Sequence, residues 1–384
     1  MIELVEKEQV KNAIVIKVIG VGGAGGNAVD HMINVGLKGV EFVAANTDAQ
    51  ALTRCLAPVK LQLGSTGLGA GSKPEAGREA ALDSRDAIAA VLSNTNMCFI
   101  TGGMGGGTGT GAAPVVAEIA KEMGVLCVAV VVRPFEHENR DRVADSGIEE
   151  LTRYVDALIV ILNEKLFEIY GDDGLADECY QAADNVLVSA VGGISEIING
   201  SGHHNVDFQD VRTAMAEMGR AMLGSAEASG IDRARIAAEQ AAVSPLLEGS
   251  ELAGARCALV NITASRSTLK LSEIKVAVST VRAFAAPEAF VKHGIVYDES
   301  MGDRIRVTVV ATGLGVPRSA RPMMQVVQST GTHGADLQGL NLDDVNIPSV
   351  IRRRDRDNRR TVEAMSRNGM DPQSIPAFLR RQAD

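Results

Sequence analysis

The chain has 384 residues, enough for two packed domains, because one core of ordinary size takes roughly 100–200 residues. Hydrophobic residues make up 46% and charged ones 22%, with aromatics at 3% and no Trp, which excludes a mainly disordered chain and predicts an aliphatic core. The net charge of −10 conceals six Arg and two Asp at 351–360, so the rest of the chain carries −10 − 4 = −14. No nucleic-acid partner is expected for such a body, and only the Arg run remains for phosphates or an acidic partner.

The opening MIELVEKEQV lacks a basic stretch followed by an apolar one, as a leader would have. No apolar run reaches the roughly 18 residues of a membrane span, so a cytoplasmic protein with no membrane insertion is expected. Apolar runs at 14–19, 40–45, 97–100, 126–132 and 157–162 alternate with helical stretches, a pattern that predicts a parallel sheet covered on both faces. GVGGAGGN at 20–27 follows the first run and matches G-x-G-x-x-G at Gly20, Gly22 and Gly25. Such a turn lets backbone approach a phosphate at a helix N-terminus. The ribose-binding acid expected about 20 residues on is poorly met by Asp48.

A second turn, GLGAGSKPEAGR at 67–78, is placed to close over a terminal phosphate. A third, GGMGGGTGTG at 102–111, follows the strand MCFIT. Its backbone N–H groups and the Thr108 and Thr110 hydroxyls are expected to wrap phosphates, with Pro114 in the first turn of the next helix. No G-x-x-x-x-G-K-[ST] occurs, which excludes a P-loop enzyme. Five Cys at 55, 98, 127, 179 and 257, without a CxxC pair, predict reduced, buried thiols rather than disulfides or zinc.

Residues 177–198 place Tyr180, Ala183, Val186, Leu187, Ala190, Val191, Ile194, Ile197 and Ile198 on a helical period, predicting one long helix weakened by Gly192 and Gly193. Strands at 257–263 and 304–312 then indicate a second α/β domain. NVDFQDV at 205–211 sets Asp207 and Asp210 on one side of a helical turn; capping of that helix is the plain alternative. His203 and His204 precede them in a form, HHxxD, that is conceivable for a metal, but no metal site is expected. Residues 317–370 read as a flexible linker, and 371–384 regain apolar anchors.

GGGTGTG, GLGAG with KPE and GR, NTDAQ at 46–50 and NVDFQDV together resemble the bacterial tubulin-like cell-division GTPases of the FtsZ family, from about residue 14 to 313 and again at 375–384. The resemblance implies a 1–13 extension, a Rossmann-like parallel-sheet GTP-binding domain at 14–176, a central helix at 177–200, a GTPase-activating α/β domain at 201–316, the linker and a partner-binding peptide. It implies GTP or GDP as ligand, with Mg2+ bound mainly through the phosphates. It places Gly22, Gly23, Ala24, Gly25, Gly26, Asn27, Gly105, Gly106, Gly107, Thr108, Gly109, Thr110 and Gly111 at the nucleotide, with Asn27 also near the base. Ala70 and Gly71 face the γ-phosphate, Tyr180 stacks on guanine and Asp184 reads it. On burial tendencies alone Tyr180 would be core and Asp184 surface.

Asn205, Asp207 and Asp210 would organise the attacking water or a cation. Glu138 and one of Arg140 or Arg142 would contact ribose and phosphate, in a 136–142 loop shorter than the family's usual one; Gln209 between the aspartates and Leu162 before Asn163 also depart from the pattern. Implied partners are further copies of the chain, head to tail in the division ring at midcell, and FtsA-like or ZipA-like membrane tethers taken by Ile375, Pro376, Phe378 and Leu379. Two other readings stand beside this one. A nicotinamide-dependent oxidoreductase would explain G-x-G-x-x-G but leave GGGTGTG and NVDFQDV unused; a scaffold that binds GTP without hydrolysis is the other.

At 1.5 Å per residue, about 22 helical residues separate the base from the aspartates by roughly 33 Å. Catalytic aspartates would therefore serve a neighbouring subunit, in an open head-to-tail contact that builds a filament.

Overall fold

The computed structural model describes residues 14–165, 176–199, 206–215, 219–243 and 254–314. The extension at 1–13, Asn205, His203 and His204, the linker, the Arg run and the terminal peptide lie outside the described residues.

Six strands build the first half: β1 (Ile16–Val21), β2 (Glu41–Asn46), β3 (Val59–Gln62), β4 (Met97–Gly103), β5 (Leu126–Arg133) and β6 (Ala157–Leu162). They are parallel, in the order 3-2-1-4-5-6. Their continuous apolar runs follow from burial on both faces. Ile16, Val18 and Phe99 point to one core, while Ile19, Cys98 and Ile100 point to the other. Crossover helices cover the sheet: α1 (Gly22–Val35), α2 (Ala49–Arg54), α3 (Pro74–Asp83), α4 (Arg85–Leu92), α5 (Gly107–Glu122) and α6 (Asp141–Thr152).

The long helix is α7 (Ala176–Asn199), with Ala183, Leu187, Ala190, Val191, Ile194, Ile197 and Ile198 buried. It runs unbroken through Gly192 and Gly193, contrary to the expected weakening. A Cβ on Gly193 would lie 2.6 Å from Thr308 Cγ2, and one on Gly192 3.1 Å from Leu37 Cδ1. The glycines serve close packing, which offsets their low helix propensity.

After α8 (Phe208–Met215) the sheet continues through β7 (Gly219–Ser229), joined to β6 by two register pairs, Ala157↔Gly219 and Leu158↔Arg220. Then follow α9 (Arg233–Ala242), β8 (Cys257–Ala264), α10 (Leu271–Phe284), β9 (Phe290–Tyr297) and β10 (Arg304–Leu314), giving the order β7-β10-β8-β9. β10 is antiparallel to β7 and β8, and β8 is parallel to β9. Buried Arg233 ties this half together, reaching Glu273 at 2.7 Å and Asp303 O at 2.8 Å; the bond to Arg233 holds the Glu273 carboxyl below its usual range.

Pro114 falls inside α5, not in its first turn, because the helix already begins at Gly107 within the glycine run. Cys55, Cys98, Cys127 and Cys257 are buried thiols outside any disulfide. Burial, then a hydrogen bond to Asp30, pushes the Cys55 thiol up, as inert packed thiols require. Among the described residues no helix is long and apolar enough to cross a membrane.

Candidate functional site

The strand order reverses between β1 and β4, and in open α/β sheets ligands bind at that switch point, beyond the carboxyl ends of the strands. A cavity of about 520 Å³ lies there, within the size range of small-ligand sites. Its lining comes from the starts of α1 and α5, the ends of β4 and β5, Asn163 after β6, and α7.

Both helix N-termini at the cavity are uncapped. Val21 before α1 and Gly106 before α5 make no side-chain cap bond, and neither first turn holds an acid. Free N–H groups and two positive helix ends therefore meet in one place, which suits a polyanion. The glycines divide by what demands them. Gly20 and Gly25 pack so closely that a Cβ on Gly20 would meet Gly25 O at 2.2 Å, and a Cβ on Gly111 would meet Pro74 O at 1.9 Å. By contrast, a Cβ on cavity-lining Gly23 or Gly106 meets no protein atom within 4 Å. No internal contact asks for glycine there, so the demand comes from whatever approaches the backbone.

Gly23, Ala24, Asn27, Gly106, Gly107, Thr108 and Gly109 line the cavity. Gly22 and Gly26 face a smaller adjoining cavity with Asp30 and Arg54. Thr110 corrects the reading of the loop hydroxyls. It is buried, and its Oγ1 accepts the Gly105 N–H at 2.9 Å, so it locks the turn in which Gly105 takes a φ of 97° and does not itself face the cavity. Thr108 lines the cavity, and its Oγ1 lies 2.7 Å from Thr47 Oγ1. Ala70 packs behind Gly107, at 2.9 Å from a Cβ built there; neither it nor Gly71 lines the cavity. Asp48 caps α2 by accepting from Gln50 N and Ala51 N, which explains why it makes a poor ribose acid.

At the other end of the cavity, α7 presents Tyr180 and Asp184. Tyr180 is 50% exposed and edge-on to Phe135 at 5.7 Å, leaving ring surface for stacking rather than core packing. Burial pushes the Asp184 carboxyl above its ordinary value, partly offset by His31. A desolvated carboxylate wants paired N–H donors, which guanine N1–H and N2–H supply. Two buried polar atoms on the lining have no partner among the described residues: Thr101 Oγ1 and Asn163 Oδ1. Sequence reasoning noticed Asn163 only as Leu162's neighbour and missed Thr101; position at a strand's carboxyl end was the available signal.

Glu138 and Arg140 both line the cavity, as a loose ion pair at 3.7 Å. Arg142 is exposed on α6 and outside the lining, so the geometry favours Arg140. Asp207 and Asp210 lie beyond the far end of α7. Asp207 Oδ1 accepts from Gln209 N at 3.3 Å, as a helix cap does, whereas Asp210 pairs with Lys292 at 2.9 Å.

An anion seat and a carboxylate-lined base seat joined by one cavity fit a nucleotide, which makes the chain a nucleotide-binding α/β protein without a P-loop. Residues 15–171 match the Tubulin/FtsZ family GTPase domain, and residues 219–315 match the FtsZ family C-terminal domain. The chain is 50% identical, over the whole of both chains, to cell division protein FtsZ of Azotobacter vinelandii, and 50% identical over the same extent to that of Pseudomonas aeruginosa. Among solved structures, an empty FtsZ dimer from M. jannaschii is 43% identical with a TM-score of 0.73, covering 78% of this chain and 88% of that one. The chain belongs to the tubulin/FtsZ family of GTPases, among the cell-division FtsZ proteins. Guanine nucleotide binding and GTP hydrolysis follow from that membership, and the oxidoreductase and non-hydrolysing readings fall away.

Proposed function

We propose that the chain polymerises head to tail and hydrolyses GTP at a site completed by the adjacent subunit, in the filaments of a division ring at midcell. One observation carries this reading. Tyr180 and Asp184 stand in the first turns of α7, while Asp207 and Asp210 follow its end; from these residues to Asn199 the helix rises about 28 and 22 Å. No side chain bridges that length, so the aspartates can act only on a neighbour's nucleotide, and the dimeric relative supports association of this kind.

In this reading, residues 14–176 bind nucleotide, 177–200 form the spacer and 201–316 carry the activating face. Free N–H groups at the starts of α1 and α5, with Thr108, hold the phosphates. Asp184 and Asn27 read the base, Tyr180 stacks on it, and Glu138 with Arg140 takes the ribose side. Asp207 and Asp210, with Asn205, orient the attacking water at the γ-phosphate. The cavity's charged side chains are Glu138, Arg140 and Asp184, a donor set suited to nucleotide rather than to caging a cation, so Mg2+ would be held mainly through the phosphates. The peptide 371–384, through Ile375, Pro376, Phe378 and Leu379, serves FtsA-like or ZipA-like tethers.

GTP turnover per chain should rise with protein concentration above a threshold that matches sedimentable polymer. Turnover that stays flat through assembly would refute the composite site.

A further inference from the structure

The two aspartates beyond α7 are held in different ways. Asp207 caps its own helix through Gln209 N. Asp210, in the first turn of α8, is reached from β9, where Lys292 Nζ contacts Oδ2 at 2.9 Å across 82 residues of sequence. Among the described residues this is the side chain's one polar contact, and Oδ1 is left open.

The pair is partly solvated, with side chains 35% and 40% exposed. An ion pair in that setting contributes little to stability, so its value to the fold is small. Its geometry is nevertheless constrained from a second side. Lys292 Nζ stands 5.5 Å from the Phe290 ring centroid, within cation–π range, and Phe290 is itself exposed. Arg212, on the same helix, donates to Gly124 O at 3.0 Å, which fixes α8 against the end of α5. A tethered helix, an oriented ammonium and a carboxylate with one open oxygen are what water positioning requires, because a displacement of 1 Å can cost roughly 100-fold in rate.

We propose that Lys292 is a positioning residue for hydrolysis in the neighbouring subunit: it fixes the Asp210 carboxylate toward that subunit's GTP and has no part in holding its own chain's nucleotide. The proposal rests on the composite-site reading above. It requires that loss of Lys292 lowers turnover, leaves GTP affinity alone and acts only through Asp210.

The test uses full-length Lys292→Met, Lys292→Arg, Asp210→Asn and the double variant Asp210→Asn/Lys292→Met, with GTPase rate, GTP affinity and sedimentation measured for each. Lys292→Met should lower kcat about tenfold at unchanged GTP affinity and unchanged polymer yield. Lys292→Arg should recover most of the rate, which mere filling of space would not explain. In the Asp210→Asn background, Lys292→Met should cost nothing more. Mixing Lys292→Met chains with Thr108→Ala chains should restore turnover, because the second partner presents an intact aspartate pair.

Full activity of Lys292→Met beside an inactive Asp210→Asn would overturn the role of Lys292 and leave the composite site standing. Full activity of Asp210→Asn would instead sink the composite site itself. An additive loss in the double variant would mean that Lys292 acts independently of Asp210, and a loss of polymer not repaired by Arg would make it an assembly contact; either overturns the proposal.

Discussion

The two ends of α7 are built on opposite plans. At its start, Asp184 is desolvated, cavity-lining Thr101 and Asn163 each keep a buried polar atom without a partner among the described residues, and two helix N-termini converge uncapped. Beyond its end, Asp207 and Asp210 are satisfied by a backbone N–H and a lysine and remain partly open to solvent. The first end carries unmet polar demands that a ligand answers. The second meets most of its polar needs within the chain, with one Asp210 oxygen left open. Binding and catalysis should therefore separate cleanly by mutation.

The sharpest break of that comparison comes from Asp210→Ala, which should reduce turnover in polymer by about 100-fold or more while GTP affinity stays within twofold. Mixed with Thr108→Ala, which holds phosphate poorly, it should give more activity than the two variants separately, provided co-sedimentation shows joint assembly. No gain despite co-assembly would place Asp210 in its own chain's chemistry or outside chemistry altogether.

Asp184→Asn should weaken GTP by about 10- to 100-fold, the worth of charge-assisted hydrogen bonds, measured by titration calorimetry. It should also act on the free protein in the opposite sense. Because the folded carboxyl has a raised pKa, its protonated form favours folding below the ordinary carboxyl range, and that contribution is lost as pH rises through the folded value. At neutral pH the buried charge is a cost, so Asp184→Asn should raise the Tm of the nucleotide-free protein, and the gain should vanish on acidification. A gain that persists at low pH would show that the carboxylate's charge is not its source.

Tyr180→Ala should cost about tenfold in guanine nucleotide affinity, in keeping with about 1–3 kcal/mol for stacking on one base; a competition assay with labelled GDP reads it directly. The smallest change sits between the ends. Thr110→Val removes the acceptor for the buried Gly105 N–H, and should cost about 1–2 kcal/mol in urea unfolding with only a modest loss of GTP affinity. A loss of affinity as large as that of Asp184→Asn would mean that Thr110 reaches the phosphates after all.

Much of the fold was legible where strands are apolar on both faces, as at 97–100 and 126–132. Three strands were not. β3 is an exposed edge whose residues Val59 and Lys60 meet solvent, β7 is rich in Gly, Ala and Ser, which carry little β-propensity, and β9 is interrupted by Lys292, His293 and Gly294. At the site, glycine runs announced the anion seat, but no pattern distinguishes Thr108 at the wall from Thr110 beneath it. That difference is a matter of helical phase, set by α5 beginning at Gly107 rather than beyond the run. Lys292 stayed hidden because its partner lies 82 residues away, and only the sheet brings β9 beside α8.

The close approach of Gly193 to Thr308 has one more consequence. The long helix meets β10 there without a side chain of its own, so the gap between them is narrower than a single methyl group. Alanine, the residue that helices favour most, would crowd the Thr308 methyl at this position, and Thr308 would turn aside at the expense of the hydroxyl contact it shares with Ser225.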